Sequence, residues 1–263
     1  MANVYICSDR NKKGDVSRLL NGSLESYYWL GYLLADGGFT ENKRLKLVLG
    51  KEDQHQVKAF CEYLGKDYKG KYSASFMSKD VVPKICSLLG ISDRHPKTYN
   101  GCNLDKIKCI PEESRVALFV GFIDGDGSIQ YQTNRSTTKI SVKLHSSWLE
   151  FLKYMQKDLH RYFSETFLSA PHINSKGYAY MSIGSFSLQK SLKRFVEVNK
   201  LPVLCRKWSK IDVDLEILPE KLDIQRAKVL KLVNYGVPAR IISDTTEINI
   251  SFVNKVIREI SHQ

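Results

Sequence analysis

Hydrophobic and polar residues alternate along this chain in a succession of rhythms that occurs twice. Two apolar runs, "YWLGYLLADGG" and "LFVGFIDGDGS", each end abruptly in aspartate and glycine. After each comes a short polar stretch, then strict alternation, then a helical period, then two strand-like runs and a further helical stretch. In the first succession these are "KRLKLVLG", "EDQHQVKAFCEYLG", "YKGKYSASFMS" and "KDVVPKICSLLG". In the second they are "TTKISVKLH", "SWLEFLKYMQKDLHRYF", "FLSAPHINSKGYAYMSIG" and "FSLQKSLKRFVEVN", with "NSKG" as a hairpin turn. Each succession predicts an α-β-β-α-β-β-α unit.

Laying one motif over the other places Trp29, Gly31, Ala35, Asp36 and Gly37 on Phe119, Gly121, Gly125, Asp126 and Gly127, every pair 90 residues apart (119 − 29). A fixed offset of this kind indicates two copies of one unit. The predicted class is α+β, with an N-terminal arm over 1–23, a first subdomain over 24–105, a linker over 106–113 with Pro111 near the start of the second motif helix, and a second subdomain over 114–215.

Beyond Leu218 the pattern changes. A helix is expected from about Asp223 to Tyr235, stopped by Gly236 and Pro238, then a short helix through Asp244, a turn at Glu247 to Asn249, and a last helix from about Ser251 to Ile260. This 216–263 segment resembles a helix-turn-helix module, whose last helix would enter the major groove. With Ile250, Val253 and Ile257 packed inward, Ser251, Asn254, Lys255 and Arg258 are the candidate DNA contacts. A helical cap on the second subdomain is the alternative reading of the same residues.

Charge adds a partner to this picture. Lys and Arg total 40 against 28 Asp and Glu, a formal net charge of +12 spread along all 263 residues. A polyanion is implied, nucleic acid first. The alternating strands show where it would lie: Leu45, Leu47 and Leu49 share one face and Arg44, Lys46 and Val48 the other, while Ile140, Val142 and Leu144 oppose Lys139, Ser141 and Lys143. A half-buried strand with a solvated charged face explains either strand alone. The same basic face in both copies favours nucleic acid, and Gln130 and Gln132, just after the second motif, join the candidate contacts.

The six cysteines, Cys7, Cys61, Cys86, Cys102, Cys109 and Cys205, form no CxxC pair and no zinc-ligand rhythm with the six histidines, as expected of reduced, partly buried thiols. No charged and then apolar leader opens the sequence and no apolar run approaches membrane length, so an intracellular protein without a membrane span is expected.

Within each motif, small residues recur at i and i+4, Gly31 with Ala35 and Gly121 with Gly125, which lets two helices approach closely. Gly37 and Gly127 stand where a left-handed C-terminal stop is usual. Asp36 and Asp126 then lie at helix C-termini, against the negative end of each macrodipole and facing one another, so some cation must compensate. Hard divalent ions take such oxygen donors. "DGDG" alone is a common turn; two copies with packing glycines beside a phosphate-binding surface point to metal-assisted phosphodiester hydrolysis.

At this point "WLGYLLADG" and "FVGFIDGDG" resemble the paired signature of the LAGLIDADG homing endonucleases, over about residues 24 to 212. The resemblance implies two pseudo-symmetric subdomains joined by their motif helices, a saddle of antiparallel sheet lying along DNA, and cleavage across the minor groove that leaves short 3′ overhangs. It implies that Asp36 and Asp126 bind metal and catalyse cleavage, helped by the carbonyls of Ala35 and Gly125. Mg²⁺ is the expected cofactor, with Mn²⁺ substituting and Ca²⁺ binding without supporting cleavage. From "LGISDRHPKT" and "LPVLCRKWSK" it assigns a catalytic lysine to Lys97 and Lys207, for each of which a solvated linker lysine is the plainer alternative. Leu34 stands where the second copy has Asp124, which makes Asp124 a supporting residue, a cap or the partner of a basic residue. The implied partner is a long, asymmetric double-stranded DNA site, with no obligate protein partner. Two other readings share the fold: a DNA-binding regulator that joins it to a helix-turn-helix without cutting, and an RNA maturase assisting intron splicing. Retention of both Asp36 and Asp126 argues against the regulator.

Overall fold

The computed structural model describes residues 14–40, 43–91, 101–132, 137–165, 169–246, 248 and 250–261, with the backbone alone at 137, 212–224, 251, 255 and 261. The chain divides into two compact units, Met1–Ile211 and Asp212–Gln263.

The first unit is built around two helices, α1 (Leu24–Asp36) and α5 (Glu112–Asp126). Residues 28 to 35 of α1 and 114 to 124 of α5 are buried without a break. A helix apolar on all sides belongs in the middle of a core, with other layers packed around it. Ser23 caps α1, its hydroxyl accepting from the Ser26 amide at 3.1 Å. Each helix runs directly into a strand: β1 (Gly37–Thr40) follows Asp36, and β4 (Gly127–Gln132) follows Asp126.

In the first copy, β1 pairs antiparallel with β2 (Arg44–Val48), and β2 with β3 (Ser73–Met77), giving a three-stranded sheet. Helices α2 (Gln54–Tyr63) and α3 (Val81–Leu89) complete it. In the second copy, β4, β5 (Thr137–His145), β7 (Tyr178–Ile183) and β6 (His172–Ile173) form a four-stranded antiparallel sheet in that order. Its helices are α6 (Leu149–Tyr162) and α7 (Phe186–Val198). The repeat is therefore present as expected, with two sheets and mixed α and β elements.

The copies differ by a strand. "YKGKYSASFMS" forms only β3, because its first half offers no apolar alternation and Gly70 turns the chain at φ 68°. The "NSKG" hairpin closes as expected: Gly177 takes φ 77°, its amide reaches the Asn174 carbonyl at 2.9 Å, and Asn174 Oδ1 accepts from the Lys176 and Tyr178 amides. Before the second motif helix stands a short helix, α4 (Leu104–Lys108), where a plain linker was expected. Buried Arg115 ties the turn after it to the second copy, donating to the Ile110 carbonyl at 2.5 Å and to Asp158 at 2.8 Å. On the N-terminal side, Val16 and Leu19 of a short 3-10 turn enter the core.

The second unit holds α8 (Cys205–Asn234) from Asp212 onward, α9 (Ala239–Thr246) and α10 (Ile250–Ser261), around Val229, Ile242, Ile248, Val253 and Val256. Two expectations are corrected. Helix α8 begins near Cys205 instead of Asp223 and continues through Pro219, since good helix formers flank the proline on both sides. Ile250 faces outward at 39% exposed, and Val253 with Val256 makes the inward stripe. Gly236, at φ 74°, ends α8 with its amide on the Val233 carbonyl and that of Val237 on the Leu232 carbonyl. Ser243 pins the turn, its hydroxyl donating to the Ile248 carbonyl at 2.8 Å.

Candidate active site at the paired helix ends

Helices α1 and α5 meet through their small residues. A β-carbon on Gly31 would stand 1.8 Å from the Leu118 carbonyl oxygen, and one on Gly121 would stand 1.9 Å from that of Tyr28. These are two equivalent contacts related by the repeat, because Tyr28 and Leu118, like Gly31 and Gly121, are 90 residues apart (118 − 28). One turn further, a β-carbon on Gly125 would lie 2.4 Å from the Ala35 β-carbon and 3.3 Å from Asp36 Oδ2. The acid that ends α1 thus sits against the backbone of the residue before Asp126. Both aspartates are half-buried.

The glycines after the acids act differently from expectation. Gly37 and Gly127 are extended, at φ −75° and −80°, not left-handed. Their lack of a side chain matters for space instead: a β-carbon would stand 2.4 Å from the Leu33 carbonyl oxygen and 2.2 Å from that of Ile123. Strand β1 or β4 can thereby leave its helix at once, which places each acid at the head of a sheet.

A cation does meet the end of α5, and it comes from the protein. Lys207, at the start of α8 and only 7% exposed, donates its ammonium to the carbonyls of Asp124, Gly125 (3.1 Å) and Gly127 (2.8 Å). The Asp124 and Gly125 carbonyls are among those that a helix end leaves without an internal partner. Burial pushes the Lys207 ammonium below its ordinary range, and the Asp124 charge opposes that shift. Next to it, Arg206 forks onto Asp53, which precedes α2, with Nε to Oδ1 at 2.5 Å. Lys210 adds a bond to the Ile129 carbonyl at 3.0 Å. Lys97 lies outside the described residues.

Asp124 is fully buried, accepting from the Tyr28 hydroxyl at 2.6 Å, the Leu204 amide at 2.8 Å and Trp208 Nε1 at 3.2 Å. Burial raises its carboxyl above the usual range, against the pull of these donors. Tyr28, Gln56 and Trp208 escape sequence reasoning because their partners are distant along the chain.

For a divalent ion the donors here are all hard: the Asp36 and Asp126 carboxylates with the Ala35 and Gly125 carbonyls. No group of three or more His, Cys, Asp and Glu side chains converges among the described residues. That set suits an ion such as Mg²⁺, which takes one or two carboxylates and completes its shell with water and phosphate oxygens, and does not suit a closed zinc cage. Gly125 O has two lone pairs, so its bond to Lys207 leaves one for a metal.

Both sheets carry polar outer faces. Arg44 and Lys46 are exposed on β2, with Leu45 and Leu47 buried beneath. Lys139 and Ser141 are half-buried and Lys143 exposed on β5; Gln130 is exposed and Gln132 half-buried on β4. The second face also holds aromatic residues not anticipated from sequence. Lys143 Nζ lies 4.3 Å from the Tyr178 ring and Lys139 Nζ 5.3 Å from the Tyr180 ring, while His172 packs edge-on to Tyr180. Their signal was the alternation in "YAYMSI", which puts both tyrosines opposite Ala179, Met181 and Ile183. In the second unit, Asn254 and Arg258 are exposed on α10, and the side chains of Ser251 and Lys255 lie outside the described residues. No helix among the described residues is long and apolar enough to cross a membrane.

No protein-family model matches the chain, and no curated protein matches it in sequence. Among solved structures, the fold is similar to that of the LAGLIDADG meganuclease I-AabMI bound to uncleaved DNA, with 14% identity over 74% of this chain and 92% of the other, at a TM-score of 0.47. It is similar also to the I-LtrWI LAGLIDADG homing endonuclease bound to target DNA, with 10% identity over 79% and 93%, at 0.47. A third is I-SmaMI bound to uncleaved DNA in the presence of calcium ions, with 13% identity over 73% and 92%, at 0.46.

Proposed function

We propose that this chain is a site-specific, metal-dependent double-strand DNA endonuclease of the LAGLIDADG homing type. One observation carries the reading: Asp36 Oδ2 comes within 3.3 Å of the β position of Gly125, so that acids from two repeated units converge at paired helix ends. Two copies of one acidic helix end suit a substrate that itself has two antiparallel strands, each offering one phosphodiester.

In this reading Asp36 and Asp126, with the Ala35 and Gly125 carbonyls, hold the divalent ions. Bound there, metal supplies Lewis acidity toward the phosphate and lowers the pKa of an attacking water. Arg44, Lys46, Lys139 and Lys143 hold the DNA by its phosphates or base edges, with Ser141, Gln130 and Gln132 as neutral hydrogen-bonding partners. By the resemblance to the LAGLIDADG endonucleases, the cut falls near the middle of the bound site, across the minor groove, and leaves short 3′ overhangs. Lys207 stabilises developing negative charge from the end of α5, and Lys97 takes the corresponding role in the first copy. The second unit extends the contact along the DNA through Asn254, Arg258, Ser251 and Lys255, and the target is long and asymmetric. Mg²⁺ is the working ion, Mn²⁺ a substitute, and Ca²⁺ an ion for binding only. Homing of an intron is the biological setting that such a cut serves.

The decisive experiment incubates the purified chain with a plasmid library of candidate insertion sites, with Mg²⁺ and with EDTA. Site-specific double-strand cuts that disappear in EDTA and in Asp126→Asn support the reading. Tight binding without cutting under any metal overturns it and leaves a DNA-binding regulator, for which the helical second unit already speaks.

A further inference from the structure

The repeat is broken at one buried place. Tyr28 on α1 donates to Asp124 on α5 at 2.6 Å. The positions related to these two by the 90-residue offset are Leu118 and Leu34, both fully buried (28 + 90, 124 − 90). A hydroxyl and a carboxylate on one side of the helix pair therefore correspond to two leucines on the other. An exposed substitution of this kind would mean little. Buried, it commits a charge-bearing group to the core, which is tolerated only where bonds replace the water it lost.

Those bonds reach several elements and converge on one segment. Besides Tyr28, the Asp124 carboxylate takes the Leu204 amide at 2.8 Å and Trp208 Nε1 at 3.2 Å, the first just before α8 and the second one turn along it. Gln56 on α2 donates to the Tyr28 hydroxyl oxygen at 2.6 Å and to the Pro202 carbonyl at 2.5 Å, anchoring the approach to the same helix. Lys207 lies between these anchors. Its ammonium is carried back to the carbonyl of Asp124 itself, and to those of Gly125 and Gly127. The side chain of residue 124 sets where α8 begins, and α8 returns a cation to the backbone of residues 124 to 127.

We propose that Asp124 is a positioning residue that holds Lys207 on the end of α5, and that the two cleavage halves are in consequence unequal, one depending on this carboxylate and the other not. The inequality of the halves rests on the endonuclease reading; the hold on Lys207 does not. With Asp124 removed, the start of α8 loses two acceptor contacts, Lys207 leaves the carbonyls, and the fixed positive charge beside Gly125 and Asp126 goes with it. The strand served by that half is then cut slowly, while the other strand keeps its rate.

The test has two arms on the full-length chain. In the first, lysines are acylated with a water-soluble active ester and modification is followed by mass spectrometry in wild type, Asp124→Leu, Asp124→Asn and Tyr28→Phe, with Leu192→Ala, buried on α7, as a core variant outside the hydrogen-bonded cluster. Lys207 is expected to be protected in wild type and in Leu192→Ala, and to react about tenfold faster or more in Asp124→Leu, as for a locally opened site. Thermal melts establish that each variant is folded, and Asp124→Asn carries the comparison if Asp124→Leu is not. Unchanged protection of Lys207 in the folded Asp124 variants overturns the proposal. In the second arm each DNA strand is end-labelled and the two nicks are timed separately in Mg²⁺. Loss of about tenfold or more on one strand only, reproduced by Lys207→Met and not deepened in the double variant, is expected, since residues that act as a unit are not additive. Equal slowing of both strands overturns the inequality. A wild type that binds DNA but cuts neither strand refutes the endonuclease reading, and acylation alone then decides whether Asp124 holds Lys207.

Discussion

Gly31 is pressed against Leu118 so closely that a β-carbon would stand 1.8 Å from the Leu118 carbonyl oxygen, and the obstacle is backbone, which cannot rotate away. Gly31→Ala must therefore push the two central helices apart, as must Gly121→Ala against Tyr28. Each is expected to cost about 3 kcal/mol or more, at the upper end for overpacked cores. Gly184→Ala, with nothing within 4 Å, serves as the control and should stay within about 0.5 kcal/mol of wild type. Urea unfolding midpoints measure all three, and a near-neutral Gly31→Ala would contradict the close approach of α1 and α5.

Nonspecific DNA affinity should depend on salt in proportion to the cations engaged. Removing Arg44 or Lys143, each exposed on the outer face of its sheet, is expected to lower the slope of log affinity against log salt by about 1. Tyr178→Ala acts on Lys143 indirectly, by withdrawing a cation–π support of about 0.5–1 kcal/mol, so it should weaken binding with little change in slope. Fluorescence anisotropy across a salt series separates these outcomes; a slope unmoved by Arg44→Ala and Lys143→Ala would remove the sheets from the interface.

Acid should loosen the junction between the first copy and α8. The Arg206 guanidinium, hydrogen-bonded to Asp53, holds that carboxyl below the usual aspartate range despite its partial burial. A carboxyl depressed in the folded state stabilises it above the ordinary value near ~3.9, and loses that contribution as pH falls through the lower folded value. Wild type and Arg206→Gln should therefore differ in melting temperature at pH 6 and converge as pH drops below about 4. A gap that stays constant down to pH 2 would show that the pair is not coupled to folding.

How far the sequence could be read follows from how local each signal is. The repeat, the packing glycines and the buried strand faces depend on periods within one segment, so they were visible in "WLGYLLADG" and "FVGFIDGDG" and appear in the structure. The glycines after the acids were placed correctly but explained wrongly, since crowding by the Leu33 and Ile123 carbonyls imitates the residue choice of a left-handed cap. The burial of Asp124 could not be read, because its donors, Tyr28, Leu204 and Trp208, lie 96, 80 and 84 residues away. The missing strand in the first copy escaped because aromatic residues on both sides of Gly70 in "YKGKYSASFMS" suggest two strands, whereas the first half lacks apolar alternation and Gly70 turns the chain.

The contact between Tyr28 and Asp124 also bears on ancestry. The backbone crossings of α1 and α5 are reciprocal, as in an assembly of two identical chains, and carbonyl oxygens serve any side chain equally well. A homodimer of second halves would keep those crossings but set Leu118 where Tyr28 now stands, stranding two buried Asp124 carboxylates without their hydroxyls. A homodimer of first halves would set Leu34 opposite Tyr28 and strand two phenols. Each half therefore carries one member of a buried polar pair whose other member only the other half supplies.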